Sequence, residues 1–413
     1  MSDQSITVAR ARHEETQSTG VGDLPFFQTS SFGRIRVDIH TDLTAIESVW
    51  RSFHKTGIST FYQCFDWNSE WVRSVGSLEG AVPQIAVGWQ NDKPLFLLPM
   101  IIRKRGPFRL LCWIGDSHFN FKCGIYDPHF LSTARPDDIR SVFSHLKERL
   151  PPIDAIELCC QPLLIDGQAN PLAVLNRQES PNHAFAMDLA NTFDAVLAAH
   201  NGKKKRKKFR WQVRTLEENG GAKLICATTV TETNRILDAA FRQLKVRLNQ
   251  RGIFNVFEDP GIESFIRASA ENSFTTNERS MAFYGLEIDD EIRATFVGGM
   301  HGKHFSGCFN SMAMDEFTRV SPGEMLLYLM IEDLVKKGFT SLDLGRGEER
   351  YKSSWCNTIV PMFESFIPLR KRAIALSAYE WSKVALKRGV RQNPMLWEQA
   401  KKVRKAVKRR HVG

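Results

Sequence analysis

The chain has 413 residues, 42% of them hydrophobic and 10% aromatic, which describes a packed globular protein and excludes a disordered one. That length leaves room for two or more domains at a prior of about 150 residues each. The formal net charge of +10 is concentrated in residues 203–214 and 370–413, so the remainder is mildly acidic and the basicity points to local anion-binding patches.

Residues 1–33 read as a polar, flexible leader, because the opening "MSDQSITVARARHEETQSTGVGD" lacks the apolar core of a secretory signal. From residue 34, "RIRVDIH" alternates as a strand, and "DLTAIESVWRSFHKTG" has the apolar spacing of an amphipathic helix ended by Gly57. A second helix is expected in "DWNSEWVRSVGS", then a hairpin of "PQIAVGWQ" and "PLFLLPMIIRK" turning at Asn91-Asp92-Lys93. The apolar run at 94–102 is too short for a membrane span and is followed by Arg103-Lys104-Arg105. "RLLCWIGD" adds a strand, "DDIRSVFSHLKERL" a helix and "AIELCC" a core strand.

The second half repeats this order without a residue-level repeat. "AFAMDL" reads as a strand, "TFDAVLAAH" as a helix, and the basic run lies in the next helical stretch. "AKLICATTV" is a strand, "TETNRILDAAFRQLKVRLNQRG" a long helix closed by Gly252, and "GIESFIRASAENSF" another helix. Three strands follow in "SMAFYGLEIDDEIRATFVGGMHGKHFSGCFNSM", then a helix from Ser321 to Gly338, the strand "SLDLG" and a late strand "PMFESFIPL". The expectation is a mixed α/β chain of two similar domains with mixed sheets, over 34–182 and 183–369. A basic helical extension over 370–413 completes it. This tail interleaves its cations with Trp381, Val384, Leu386, Val390, Leu396, Trp397, Val403 and Val407, a pattern that suits an anionic membrane surface or packing on the body. The eight cysteines are scattered apart from Cys159-Cys160, and none forms a C-x-x-C motif with a partner pair, so buried free thiols and no metal are expected, in a cytoplasmic protein.

Residues 321–355 carry the sharpest signal. Ser321 suits an N-cap, Pro322 the first helical position, and Glu324 completes an S-x-x-E capping box. Gly323 is a poor helix former whose bareness lets a phosphate approach the exposed N–H groups, although Glu324 adds a negative charge there. Gly345 and Gly347 leave Arg346 on a backbone free to turn sharply, with Tyr351 and Lys352 following in one loop. A salt-bridged turn is the plain alternative to a site.

At these residues the sequence resembles the CelD-like branch, named for cellulose biosynthesis, of the GNAT acetyltransferase superfamily. In that branch the helix opens S-P-G and the next strand ends D-F/L-x-R-G-D/E-x-x-Y-K-x-x-W. Ser321, Pro322, Gly323, Asp343, Arg346, Gly347, Glu348, Tyr351, Lys352 and Trp355 match it. A basic segment leading into a helix with a late Leu-Glu is matched by Lys204 to Arg210, Leu216 and Glu217. The resemblance covers about residues 35–370. It implies two tandem GNAT-like domains, similar to the Fem-type aminoacyltransferases of peptidoglycan synthesis. It also implies acyl transfer from a thioester to an amine, with the donor's pyrophosphate at the Ser321–Gly323 helix start. The usual arginine/glutamine-x-x-glycine-x-glycine form of that loop is missing, which leaves the donor open between acyl-CoA, an acyl carrier protein and aminoacyl-tRNA.

On this reading Asp343 and Glu348 are candidate bases and Tyr351 a candidate donor to the departing thiolate. Ser321, Gly323, Arg346 and Lys352 are candidates for holding the donor, and Lys204, Lys205, Arg206, Lys207 and Arg210 for an anionic coenzyme, carrier or nucleic acid. His118 and Asn120, in "IGDSHFNFKCGIYDP", are candidates for the acceptor. The plain readings are a loop-capping Asp343, a packed Tyr351, a solvated basic face and a surface His118. Phe209 and Trp211 suit either base stacking or, preferentially, anchoring of the basic helix, and Trp355 suits packing. Three functions follow: a soluble N-acyltransferase, a Fem-like transferase using aminoacyl-tRNA, or a non-catalytic accessory of envelope or exopolysaccharide synthesis. The tail would hold the last of these to the inner face of the membrane.

Overall fold

A computed structural model describes residues 26–29, 31–275, 279–393, 395, 396, 398 and 399. The leader over 1–25, and Trp397 and residues 400–413 of the tail, lie outside the described residues.

Part of the stretch expected to be leader forms a strand. Strand β1 (Phe26–Thr29) pairs with β2 (Gly33–His40), and the turn is closed locally, Phe32 N–H donating to Thr29 Oγ1 and Gly33 taking a left-handed φ of 63°. Helices α1 (Glu47–Thr56) and α2 (Phe65–Trp71) bury Trp50, Phe53, Trp67 and Trp71. Strands β3 (Val82–Gln90) and β4 (Lys93–Arg105) turn at Asn91 and Asp92, both left-handed, as a two-residue hairpin whose twist matches its strands requires. Then come β5 (Phe108–Trp113), β6 (Ile125–Tyr126), α3 (Pro128–Thr133), α4 (Pro136–Arg149) and β7 (Ala155–Pro162). The short strands β8 (Leu164–Ile165), β9 (Gln168–Ala169) and β10 (Gln178–Glu179) end this half.

The second half opens with β11 (Ala184–Asp188), α5 (Phe193–Ala199), α6 (Gly202–Leu216) and β12 (Lys223–Cys226). Helix α7 (Val230–Arg251) is capped by Thr229 and closed by left-handed Gly252, and α8 (Ile262–Thr275) packs beside it. Strands β13 (Met281–Ile288), β14 (Glu291–His301) and β15 (His304–Met312) form a meander. Helix α9 (Pro322–Lys336), β16 (Ser341–Arg346), α10 (Arg350–Trp355) and β17 (Thr358–Val360) follow, then β18 (Met362–Pro368) and α11 (Ile374–Gln392). The mixed α/β class expected from the sequence is what the chain adopts.

Two large sheets result, with strand orders β1-β2-β3-β4-β5-β7-β18-β10 (β6 also pairing β4) and β12-β13-β14-β15-β16-β11-β17. They do not follow the linear halves. Strand β18, within the stretch 183–369 expected to form the second domain, is hydrogen-bonded into the first sheet between β7 and β10. Each sheet has one parallel pair, β5 with β7 and β15 with β16, registered over only three residues before the strands diverge. The tail helix α11 packs on the first sheet, Trp381 Nε1–H donating to the Phe366 carbonyl at 3.1 Å and Arg105 pairing with buried Glu380. Tyr379 and Leu386 remain exposed on its outer side.

The two units meet face to face. Across the interface the His54 ring on α1 lies 4.2 Å from that of His301 on β14, and His54 Nε2–H donates to the Thr60 carbonyl at 3.0 Å. Burial, with His301 beside it, lowers the His54 pKa from 6.5 to about 4. The unfolded chain therefore takes up this proton first as pH falls, and stability declines between those two values by on the order of 3 kcal/mol from this group. Denaturant titrations at pH 7 and 4.5 should show a smaller acid loss in His54→Asn than in the parent; equal losses would remove His54 as the cause. A chain ending at residue 361 lacks β18, and is expected to lose the cooperative unfolding transition of the full chain. An unchanged transition would mean that the exchanged strand is dispensable.

Candidate functional site

Strands β15 and β16 are paired from His304–Ser306 to Ser341–Asp343 and then separate. The divergence is built into both strands. Opposite β14, Val297 faces Phe309 and Gly298 faces Gly307, so Cys308 is an extra residue and β15 bulges there. At the end of β16, Gly345 has a left-handed φ of 70°, and a Cβ there would come within 2.6 Å of Asn120 Nδ2. Only glycine satisfies both demands. Lys352 is buried and donates to the carbonyls of Gly345 (3.3 Å) and Arg346 (2.7 Å), fixing this end of the strand, and burial lowers its pKa.

The opened strands, with α7, α8 and a loop of the first unit, enclose a cavity of about 250 Å³. Gly307 to Asn310 and Leu344 form one side, and Arg346, Glu349, Tyr351 and Lys352 another. Trp67, His118 and Asn120 close it from the first unit. A larger cavity of about 460 Å³, between Leu150–Ile153 and Leu369–Arg370, lies at the start of β7, the end opposite its divergence, and holds none of the sequence candidates.

Of the candidates, Arg346, Tyr351, Lys352, His118 and Asn120 are brought together here. Tyr351 and Lys352 stand on a short helix, where the sequence suggested a loop. Tyr351 Oη accepts from Asn310 Nδ2 at 2.8 Å, which leaves its own proton free to be donated. Burial, and Glu349 beside it, raise its pKa and keep it protonated. Asn120 Nδ2 donates to Tyr62 Oη (3.0 Å) within the first unit and across the interface to the Gly307 carbonyl (3.1 Å), so it ties the units together. His118 Nδ1 accepts from Trp71 Nε1 at 3.1 Å, which puts its proton on Nε2, 3.2 Å from Asp259 Oδ2. Burial lowers its pKa.

Asp343 and Glu348 lie elsewhere. Asp343 is 2% exposed, bound through Oδ2 to His304 Nε2 (2.9 Å) and through Oδ1 to the Gly345 N–H (2.9 Å), the loop-capping geometry. Glu348 is exposed and does not line the cavity; the carboxylate that does belongs to the next residue, Glu349, itself exposed at the cavity's edge. The sequence reading missed Glu349, Asn310 and Arg247. For Arg247 a signal exists: it shares the apolar stripe of α7 with Ala240, Leu244 and Leu248, where a cation has no packing reason to be.

The first unit has the same divergence beyond Cys112 and Glu157, with left-handed Cys160 (φ 61°) near the place of Gly345. There the space is filled. Arg346 enters from the second unit and donates to Cys160 Sγ and the Phe119 carbonyl. Arg103 pairs with Asp116 at 2.8 Å and approaches Glu157 at 3.8 Å, and Lys122 donates to the Asp116 carbonyl.

Helix α9 starts at the open end of the second divergence. Ser321 is left-handed (φ 58°) and makes no side-chain cap, so the expected capping box is not formed; Glu324 pairs instead with Lys208 of α6. A left-handed Ser points its hydroxyl away from the first-turn N–H groups. Gln212 Nε2 donates to the Val320 (2.7 Å) and Ser321 (3.2 Å) carbonyls and Phe209 stacks on Tyr328 at 4.3 Å, so α6 is fastened to the start of α9. Lys205 donates to Ser354 and lies 4.2 Å over the ring of buried Trp355, and Arg206 pairs with Asp194. Lys204, Lys207 and Arg210 are exposed, and Trp211 is 44% exposed among them rather than anchored as expected.

Residues 203–353 match the family model described as an acetyltransferase (GNAT) domain. No curated protein matches the chain. Among solved structures, the fold is similar to that of FemX at TM-score 0.58 and 10% identity, over 83% of this chain and 99% of that one. The C-terminal domain of a putative lysylphosphatidylglycerol synthetase from Agrobacterium fabrum aligns at TM-score 0.50 and 12% identity, over 83% and 97%. A conserved protein of unknown function from Bacteroides thetaiotaomicron aligns at 0.50 and 13%, over 80% and 99%. At these identities the likeness is one of fold.

Gly345→Ala tests the divergence itself. Strain at a left-handed alanine and the contact with Asn120 are expected to cost about 1–3 kcal/mol in thermal unfolding, where Gly347→Ala, with open space around it, costs less. Equal losses at the two positions would mean that Asn120 does not require the glycine.

Proposed function

We propose that the chain is an N-acyltransferase of the CelD-like type, moving an acyl group from a thioester donor, acyl-CoA or an acyl carrier protein, to an amine in the second unit's cavity. The observation that carries this reading is the asymmetry of the two divergences: the first is sealed by charged side chains, whereas the second holds a cavity, and helix α9, whose Gly323 lies against Met312 at the end of β15, starts beyond its open strands with Lys208 of α6 at its first turn. Helix N-termini and lysines both favour phosphates. A Cβ on Gly323 would meet only Met312, at 3.6 Å, so packing does not demand glycine; a bare first turn serves an approaching diphosphate.

In this mechanism the amine nitrogen bonds to the thioester carbon as the carbon–sulfur bond breaks. Tyr351 gives its proton to the departing thiolate, and the nitrogen's surplus proton passes to Glu349, the carboxylate on the cavity. Asp343 shapes the turn after β16, and Lys352 and Arg346 hold the strand end and the unit interface. We place the enzyme in the cytoplasm, or at the inner face of the membrane through exposed Tyr379 and Leu386 on cationic α11. A second reading, transfer from aminoacyl-tRNA, is favoured by one observation: exposed Trp211 among the α6 cations is suited to stack a base.

Tyr351→Phe is expected to lower kcat about 100-fold or more, with the KM of the donor little changed, in an assay following free thiol. A kcat near that of the parent would take Tyr351 out of the chemistry. Calorimetric titration with acetyl-CoA and a long-chain acyl-CoA should give one site per chain, weakened at least about tenfold in Gly323→Asp, where a carboxylate opposes the phosphates. No binding by either would end the acyl-CoA reading, and charged tRNA at two salt concentrations would then test the second, a steep salt dependence supporting it.

A further inference from the structure

Of the charged side chains on the cavity, Arg346 is tied to Cys160 and Lys352 to backbone carbonyls, which leaves Arg247 and Glu349, of opposite sign, not meeting. Arg247, on α7, donates to the Asn310 carbonyl at 3.1 Å and keeps its Nε buried without a partner. Glu349 faces the same cavity from the turn before α10. Among the described residues neither side chain has an ion-pair partner. The intervening wall is apolar: Leu244, Leu248, Phe257, Ile262, Phe265 and Phe309. Arg247 is mostly buried, and the opposite charge that eases its burial is Glu349, with which it closes no ion pair; arginines so placed are ordinarily paired directly. The two groups would relieve each other if they touched. The fold holds them apart on separate helical elements instead.

We infer that the amine acceptor is an amino acid with an apolar side chain, its carboxylate on Arg247, its ammonium on Glu349 and its side chain against the apolar wall. This rests on the acyl-transfer reading and narrows it. Arg247 reads the carboxylate as a planar fork, the geometry in which arginine exceeds lysine. Glu349 orients the nitrogen and takes one proton from the ammonium, which frees the lone pair that attacks the acyl carbon; the second proton, lost as the amide forms, replaces the one Tyr351 gives to the thiolate. The cavity's volume of about 250 Å³ suits a group the size of a single amino acid.

The test is calorimetric titration of the full chain, with coenzyme A present, against L-phenylalanine, L-leucine, phenethylamine and 3-phenylpropanoate. The two amino acids are expected to bind, and the two analogues that lack one charge to bind at least about tenfold more weakly. Arg247→Ala should narrow the gap between phenylalanine and phenethylamine, and Glu349→Gln the gap between phenylalanine and 3-phenylpropanoate. Either analogue binding as tightly as phenylalanine, or no amino acid binding at all, overturns the inference. Acyl-CoA titrated into the same samples keeps the two ideas apart. Donor binding without amino-acid binding removes only the acceptor assignment, and amino-acid binding without donor binding removes only the acyl-CoA reading.

Discussion

A parallel strand pair that separates after three residues leaves backbone groups on both strands without partners, and something must satisfy them. The chain has two such pairs and meets the demand by crossing them. Asn120 and Tyr62, from the first unit, reach the Gly307 carbonyl in the second, while Arg346, from the second, reaches Cys160 and the Phe119 carbonyl in the first. The units are therefore each other's missing walls. The exchange of β18 into the first sheet makes the same point at the level of strands.

The reciprocity is not symmetric in chemistry. Charges that would be expensive to bury singly are gathered in the first divergence, where Arg103 bonds Asp116 and lies near Glu157, which accepts from Arg105. On the cavity of the second divergence Lys352 is tied to backbone carbonyls and Arg247 and Glu349 close no ion pair, and space is retained. Tyr351 illustrates how the remaining polar groups are poised. With Asn310 supplying the hydrogen bond to its oxygen, its hydroxyl proton is left with one direction in which to go.

Much of the local structure was legible because it follows from local rules. The long helix closed by Gly252, the Asn91-Asp92 turn and the strand into Gly345 come from periodicity and turn chemistry. What was not legible depends on distant partners. The strand character of residues 362–368 is plain in the sequence, but its membership of the first sheet is a choice among edges that no window contains. The capping box at Ser321 fails because Gln212, about a hundred residues earlier, fixes the preceding turn and Lys208 draws Glu324 away. At the site, the motif residues were found, yet their assignments shifted by one: Glu349, not Glu348, meets the cavity, because the left-handed backbone at Gly345 and Gly347 rotates the strand end beyond what alternation predicts.

The exchanged strand also has a consequence for how the protein is made. A ribosome delivers the chain from its first residue, and N-terminal domains ordinarily fold as they emerge. Here the first sheet lacks an interior strand until residue 368 has been synthesised, so that β7 presents an unpaired interior edge throughout translation of the second unit. Pairings of such long sequence separation form slowly, and open edges invite association with other chains. Completion of the first sheet is thus a late, post-translational event. The yield of native protein should depend more on how that edge is shielded during synthesis than on the final stability of either sheet.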